Sequence, residues 1–378
     1  MATSRHPVEF EAAAAPAALA APMVIAGRGQ IEARLAGIER GWKQLWREAQ
    51  PANPFLSWEW QRNWLAGYAG QIEPLLVALP FADGRLAGLL ALQRTRQHGL
   101  WRVEMLAQGS DGDEWDCLLH PEAPAATAGR LLRAALRQRR WDWLEIESIP
   151  PAGPLAAALT ALGARGEAGP ALPYMALPAT MAALLDRRSA NFRSEVRRRQ
   201  RRFGRLAAGA RLECVDSPAA MRAGLAELFR LHNRRRAHRG ERGVYESAEA
   251  REFHLRAAAQ LAAVRGCRLY LLCSAGAVVA ALYGLVWGRR FLYYQSGFEP
   301  ALAELSPGTV LLAGVAEDCI RRGERQFDFL RGEEAYKSRW TETQRPTLRL
   351  ALAASVGGRG YLRLRPWWRR WRGGRQPA

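Results

Sequence analysis

Tyrosine, aspartate and lysine stand in or beside apolar, strand-like runs towards the C-terminal end of this 378-residue chain. Tyr293, Tyr294 and Gln295 share one run, Asp328 lies between Phe327 and Phe329 in another, and Lys337 follows a short loop. Such groups can take up a proton, give one up or stabilise a developing negative charge. A carboxylate between two phenylalanines is desolvated, which raises its pKa toward that of a useful base. The competing reading of Asp328 is a structural ion pair with Arg331. Successive strand residues point to opposite faces, so one of Tyr293 and Tyr294 should face the core and the other a site, where a phenol can protonate a leaving group or bind substrate. The plainer reading is two packing aromatics. Lys43 and Lys337 are the only lysines in a chain that otherwise uses arginine, so Lys337 marks a place for a compact ammonium, on a donor phosphate or near an oxyanion.

Arginines supply the second set of candidates. Arg193, Arg197 and Arg201 recur every four residues, on one helix face, while Phe192, Val196, Phe203 and Leu206 form a separate apolar seam. A row of guanidiniums binds phosphate or carboxylate in fork geometry. With Tyr293 and Gln295 they are the expected substrate contacts. Ser306-Pro307-Gly308-Thr309 is a strand-to-helix passage whose free N–H groups suit phosphate, although Pro307 removes one donor. Ser306, Gly308, Thr309 and Arg331 are therefore expected to hold a cofactor. Exposed aromatics are not interleaved with the arginines, so sequence-specific RNA reading is not supported, and no DNA partner is expected. Five scattered cysteines and six histidines show no metal-ligand spacing, and no metal is expected.

The formal charge of +19 is concentrated. Residues 187–205 hold nine Arg and one Glu, and residues 357–378 hold seven Arg and no acid, so the two segments carry 8 and 7 of the 19 charges. Fields this local favour a polyanionic partner. The second segment mixes Trp367, Trp368 and Trp371 with arginine, which suits an anionic bilayer surface. A solvated, disordered tail is the default reading. Leu269–Trp287 is long and apolar enough to imitate a membrane span, but Ser274-Ala275-Gly276-Ala277 breaks it and β-branched residues favour two strands joined by a tight turn.

These residues need elements to position them. Residues 1–28 read as a disordered leader. Helices are expected from Ile31 to about Ala49 and after Ser57, followed by strands near 74–79, 85–93, 101–107 and 116–119, a helix near 125–139 and a strand at 143–147. The pattern loosens between about 150 and 178. Helices then recur near 191–208, 218–238 and 248–264, strands at 268–273, 278–287 and 290–297, a helix at 307–322, and strands at 326–330 and 347–353. The scheme repeats, which predicts an α+β protein of two tandem units, each a mostly antiparallel twisted sheet flanked by helices. The expected limits are 29–170 and 171–355, with a basic Trp/Arg tail at 356–378.

In this order Asn53-Pro54-Phe55…Trp60, Asn191-Phe192-Arg193…Arg197-Arg198, Leu231-His232…Arg239-Gly240, Ser306-Pro307-Gly308 and Phe327-Asp328-Phe329-Leu330-Arg331-Gly332…Tyr336-Lys337…Trp340 resemble the GNAT acetyltransferase superfamily, specifically its BioF2-like and CelD-like branch, related to the FemAB peptidyltransferases. The likeness covers most of residues 50–350. It implies two GNAT-like folds in tandem and an acyltransferase that moves an acyl group, expected to be acetyl, from acyl-CoA as co-substrate to an amine or hydroxyl. The implied acceptor is a small molecule or a cell-envelope or exopolysaccharide precursor. The implied setting is cytoplasmic, with peripheral contact at the inner membrane face through the tail. In FemAB relatives an aromatic-Lys pair lies by the reacting centre, so Tyr336 joins Asp328, Tyr294 and Lys337 as expected catalytic residues. The usual Gln/Arg-x-x-Gly-x-Gly/Ala phosphate loop is replaced here by Ser306-Pro307-Gly308-Thr309, which leaves room for an aminoacyl-tRNA donor. A third reading is a non-catalytic module that binds anionic polymer or membrane for polysaccharide synthesis.

Overall fold

The computed structural model describes residues 18–373, apart from 50–51, 69, 110, 139 and 333, with side chains described as far as Arg365. The strands are β1 (Met23–Ala26), β2 (Glu73–Pro80), β3 (Leu86–Gln97), β4 (Leu100–Met105), β5 (Leu118–Leu119), β6 (Trp143–Ile149), β7 (Arg165–Ala168), β8 (Leu172–Ala176), β9 (Arg211–Val215), β10 (Cys267–Ser274), β11 (Ala277–Trp287), β12 (Arg290–Phe298), β13 (Gln326–Asp328), β14 (Gln344–Arg345) and β15 (Leu348–Ala353). The helices are α1 (Arg28–Glu48), α2 (Trp58–Tyr68), α3 (Thr127–Leu136), α4 (Pro154–Ala161), α5 (Met181–Asp186), α6 (Ala190–Leu206), α7 (Pro218–His238), α8 (Ala248–Ala263), α9 (Pro307–Arg321), α10 (Ala335–Trp340) and α11 (Val356–Gly373).

Two sheets result, in an α+β architecture of two tandem units. The first runs β1-β2-β3-β4-β6-β15-β7 with β5 beside β3, and the second runs β14-β8-β13-β12-β11-β10-β9. Each has one parallel pair, β4 with β6 and β12 with β13, and is otherwise antiparallel. The apolar run at 269–287 is the β10–β11 hairpin. Among the described residues no helix is long and apolar enough to cross a membrane.

The units are not laid end to end. β15, from the end of the chain, lies between β6 and β7 in the first sheet. β8 lies between β13 and β14 in the second. A boundary drawn at residue 170 separates the sheets, but residues 348–353 return to the first one. One apolar core accordingly joins residues from both halves, and a second fills the space between the other face of the second sheet and α5, α6 and α9.

Three local expectations are corrected. Residues 23–26 are not disordered: β1 pairs with β2 because its alternation places Ile25 in the core. Residues 1–17 of the expected leader lie outside the described residues. The loosened stretch at 150–178 holds α4, β7 and β8, with α4 started by Pro154 at its first turn. The tail is not an unstructured strand of basic residues: α11 packs on β15, and its Arg365 is buried against Glu145 and Glu167. The tryptophan side chains at 367, 368 and 371 lie outside the described part.

Candidate functional site

The second sheet opens where its parallel pair ends. β12 and β13 share only the register Arg290–Leu292 with Gln326–Asp328 and then diverge. A bulge between Tyr283 and Gly284 leaves Tyr294 without a residue opposite it on β11. It sends the two tyrosines to different sides. Tyr293 packs with Phe327, Phe329 and Tyr336. Tyr294 enters an aromatic cluster with Phe55 and Trp60 of the first half and His254 and Tyr283 of the second. Its hydroxyl donates to Asp111 at 3.3 Å.

Two cavities meet at this divergence. One, of about 220 Å³, is lined by His232, Arg235 and Arg236 of α7 and Arg239 just past its end, Tyr293–Ser296 of β12, Phe329–Arg331, Tyr336 and Lys337, and by Gly112 and Asp113 from the first half. The other, of about 340 Å³, lies at the start of α9 and is lined by Arg199, Phe298, Ser306–Thr309, Leu311, Leu312 and Trp340 among others. Arg235, Tyr293, Ser296 and Tyr336 line both. The two cavities therefore adjoin at these four side chains.

α7 can lie this close to β12 because position 297 is glycine. A Cβ there would come within 2.4 Å of the His232 backbone nitrogen. Ser217 caps α7 and Pro218 occupies its first turn, so the helix is fixed at its far end while its last turns face the opening. His232, Arg235 and Arg236 fall at i, i+3 and i+4, on one face, and Arg239 follows as the residue that ends the helix. His232 is almost fully buried, and its Nδ1 lies 3.2 Å from the Ser296 carbonyl. A carbonyl only accepts, so Nδ1 carries the proton and Nε2 keeps its lone pair. That buried Nε2 has no hydrogen-bond partner. Burial lowers the imidazole pKa to about 4, so the ring is neutral at physiological pH.

Lys337 is buried, donates to the Arg331 carbonyl at 2.7 Å and pairs with Glu334 at 2.9 Å. Gly332, at φ 124°, makes the turn that brings these groups together, and a Cβ there would press on Lys337 Nζ. The rings of Tyr293 and Tyr336 lie with their centroids 6.1 Å apart, and burial pushes both phenols up, so both stay protonated. The Tyr293 hydroxyl donates to Ser296 Oγ.

Several expected site residues are thus brought together: Tyr293, Tyr294, Gln295, Tyr336 and Lys337 in the first cavity, and Ser306, Gly308 and Thr309 in the second. Others are not. Asp328 is completely buried but lines neither cavity. Arg290 at 2.8 Å, Arg345 and the Leu330 N–H at 2.9 Å occupy its oxygens, and Glu114 at 2.7 and 2.9 Å shares both arginines. A carboxylate committed to two guanidiniums is a counter-ion, not a free base, and its partners are not the Arg331 expected from sequence. Arg331 belongs to the first cavity, not the cofactor side, with its Nε 3.0 Å from Asp113 Oδ1. Arg193 turns back to the carbonyls of Asp186 and Arg188, and Arg197 is exposed away from both cavities. The α6 arginine that reaches the second cavity is Arg199, donating to Thr309 Oγ1 at 2.9 Å. Arg198, Arg199, Arg201, Arg202 and Arg205 line a groove that continues from it past Ser306. Glu333 lies outside the described residues.

His232 and Arg239 entered the sequence reading only within the family resemblance, and none of His232, Arg235, Arg239 and Asp113 was expected in the site. The helical spacing of the first three was readable, but in so arginine-rich a chain it did not stand out. Asp113 comes from the other half, and nothing local announces it.

Residues 190–338 match the family model described as the acetyltransferase (GNAT) domain. No curated protein matches the chain significantly. Among solved structures, FemX aligns with a TM-score of 0.57 at 11% identity, over 84% of this chain and 96% of that one. The C-terminal domain of a protein described as a lysylphosphatidylglycerol synthetase from Agrobacterium fabrum gives 0.55 at 12%, over 86% and 95%. L-PGS from Bacillus licheniformis gives 0.54 at 11%, over 82% and 90%. The chain shares the fold of these structures, and the stretch that matches the acetyltransferase (GNAT) model lies in its second half, the half that opens.

Proposed function

We propose that the cavity at the start of α9 holds an acyl donor, that the cavity beneath α7 holds an amine or hydroxyl acceptor, and that the acyl group passes directly between them. The observation that carries this reading is the wall of Arg235, Tyr293, Ser296 and Tyr336 common to both cavities. Direct attack needs donor and acceptor present together within reacting distance, and two adjoining cavities provide that. The acceptor's proton leaves to His232 Nε2, directly or through one water, since that nitrogen has a lone pair and no partner. Tyr336, which keeps its proton, gives it to the departing group. Lys337 lends positive charge to the oxyanion. The helix start at Gly308 and Thr309 and the Arg199 guanidinium face the donor's phosphate or other anionic part.

The donor is acyl-CoA in this reading, expected to carry acetyl. The acceptor belongs among small molecules or cell-envelope or exopolysaccharide precursors, and the protein works in the cytoplasm, touching the inner membrane face through its C-terminal segment. These finer assignments rest on the family resemblance and on the basic, Trp-containing tail. The test is acyl-CoA binding by thermal shift together with CoA release by wild type, His232→Gln, Tyr336→Phe and Lys337→Ala. Binding with a lowered rate in each variant is expected. Unchanged rates in all three would show that the chemistry lies elsewhere.

One observation favours a second reading. The groove of Arg198, Arg199, Arg201, Arg202 and Arg205 extends well beyond a pyrophosphate, as an aminoacyl-tRNA donor would require. It predicts tRNA binding that weakens steeply with salt and is lost when Arg198, Arg201 and Arg202 become Gln. Binding of anionic polymer with no stabilisation by acyl-CoA or tRNA would instead mark a non-catalytic module.

A further inference from the structure

The charges around the first cavity do not balance, and the imbalance is confined to two residues. Five cations line it: Arg235, Arg236, Arg239, Arg331 and Lys337. Three of them are already answered. Arg331 pairs with Asp113, Lys337 with Glu334, and Arg236 with Glu241. Among the described residues Arg235 and Arg239 form no ion pair of their own: Glu241, paired with Arg236, and Glu334, paired with Lys337, act on them only at longer range, and Arg239 is open to solvent while Arg235 is half-buried. Arg235 is held with its guanidinium 4.8 Å from the centre of the Phe298 ring, and its Nε is buried without a hydrogen bond. Burial also works against its charge. A guanidinium kept in such a place without a counter-ion costs stability unless something supplies the missing anion.

Arg235 lies on the face of α7 that also carries His232, and Arg239, four residues on, ends the helix and lines the same cavity, so an anion between them would lie beside that imidazole. Two neighbouring guanidiniums make a fork for a carboxylate or a phosphate. The cavity is small, and one side is closed by Gly112 and Asp113 of the first half. It therefore suits a compact acceptor or the end of a longer one, with its anionic group close to the nucleophile.

We infer that the acceptor bears a carboxylate or phosphate a few bonds from its reacting amine or hydroxyl, and that Arg235 and Arg239 bind that group. This rests on the assignment of the first cavity to the acceptor. It is distinct from the guanidinium row expected on α6, whose members face the donor side or solvent.

Arg239 gives the cleaner test because Arg235 also lines the donor cavity. The full chain is titrated calorimetrically with inorganic phosphate and with succinate, in wild type, Arg239→Gln, Arg235→Gln and, as a control on the exposed far end of α7, Arg222→Gln. Acyl-CoA binding is measured on the same proteins. Acceptor pairs are then compared in turnover: an amino acid against the amine lacking its carboxylate, and an amino-sugar phosphate against the free amino sugar. The expected result is anion binding weakened at least tenfold by Arg239→Gln and by Arg235→Gln but not by Arg222→Gln, with acyl-CoA affinity unchanged by Arg239→Gln. Charged acceptors should be preferred at least tenfold in kcat/KM, and Arg239→Gln should raise their KM while leaving kcat near wild type. The preferred pair shows whether the anion is carboxylate or phosphate. Anion binding that survives both substitutions, or equal use of charged and neutral acceptors, overturns the inference. A failure of wild type to bind acyl-CoA strikes at the donor assignment instead, and the calorimetric comparison of phosphate and succinate still decides the role of the two arginines.

Discussion

The two halves meet the same topological event in opposite ways. In each sheet one parallel pair is formed across a helical crossover, β4 with β6 and β12 with β13, and in each the strands pair briefly and then separate. In the first half the separation is filled. Gln108, nearly buried, donates to the Glu145 carbonyl at 3.1 Å and accepts from the Glu147 N–H at 3.2 Å, so its side chain replaces the missing ladder. In the second half no side chain bridges the strands in this way, and the space becomes the wall between two cavities. A splayed parallel pair is thus either a backbone defect to be mended or a place to put ligands. In the first half one amide side chain mends it, because unpaired strand edges must find partners somewhere.

The comparison is broken most directly at His232. If the open half alone does chemistry, His232→Gln should lower kcat/KM by about 10²–10⁴-fold, the usual worth of a positioned proton acceptor. The wild-type rate should fall on the acid side as the imbalance between neutral and charged imidazole sets in near its pKa of about 4. A pH–rate profile that is flat there and an undiminished variant would remove His232 from the reaction.

Asp328 tests the boundary between positioning and chemistry. Its removal leaves Arg290 and Arg345 facing only Glu114, and breaking a buried pair costs about 3–5 kcal/mol. Asp328→Ala should therefore lower stability to denaturant strongly, while the protein that remains folded keeps the acyl-CoA affinity of wild type. A normally stable variant with no turnover would return Asp328 to the catalytic group. Gln108→Ala is the counterpart in the closed half. Losing its two backbone bonds should cost about 1–3 kcal/mol in denaturant unfolding, with kcat/KM unchanged. A large loss of activity would mean that the closed half and the open half are coupled more tightly than this contrast implies.

How far these differences could be read beforehand follows from where their causes lie. α7 was legible to its last residue because the Ser217-Pro218 start and the apolar spacing behind it are local. The β10–β12 meander and α9 were legible for the same reason. The exchange of β8 and β15 was not, because both are short, and what selects their neighbours is a sheet built from residues far away in sequence. Asp328 illustrates the same limit at a single side chain. Its position between two phenylalanines correctly implied burial, but its role depends on Arg290 and Arg345, 38 and 17 residues distant. The tail misled for another reason. Pro366 and the paired glycines argue against a helix, and the buried contacts of Arg365 with Glu145 and Glu167, which anchor it, are invisible in composition.

The smallest effect concerns the loop that the closed half sends toward the open one. It carries two buried aspartates, Asp113 and Asp116, both raised from the ordinary carboxylate range to about 6, by burial above all. They differ in what they face. Asp113 meets Arg331 and the first cavity, whereas Asp116 accepts from the Cys117 N–H at 2.8 Å and the Leu155 N–H at 3.0 Å and leaves its second oxygen unpartnered. A carboxyl whose pKa is higher in the folded state holds its proton there while the unfolded chain has already lost it. Its stabilising contribution is complete below about pH 4 and is lost as pH rises through about 6. Asp116→Asn keeps the two accepted bonds and cannot ionise. It should be more stable than wild type by about 1–2 kcal/mol at neutral pH and equal to it near pH 4, with turnover unaffected. Urea unfolding at the two pH values checks this. An Asn variant less stable than wild type at neutral pH would show that the charge on Asp116 is wanted there, and would make this loop part of the electrostatics of the open half rather than a plug in the closed one.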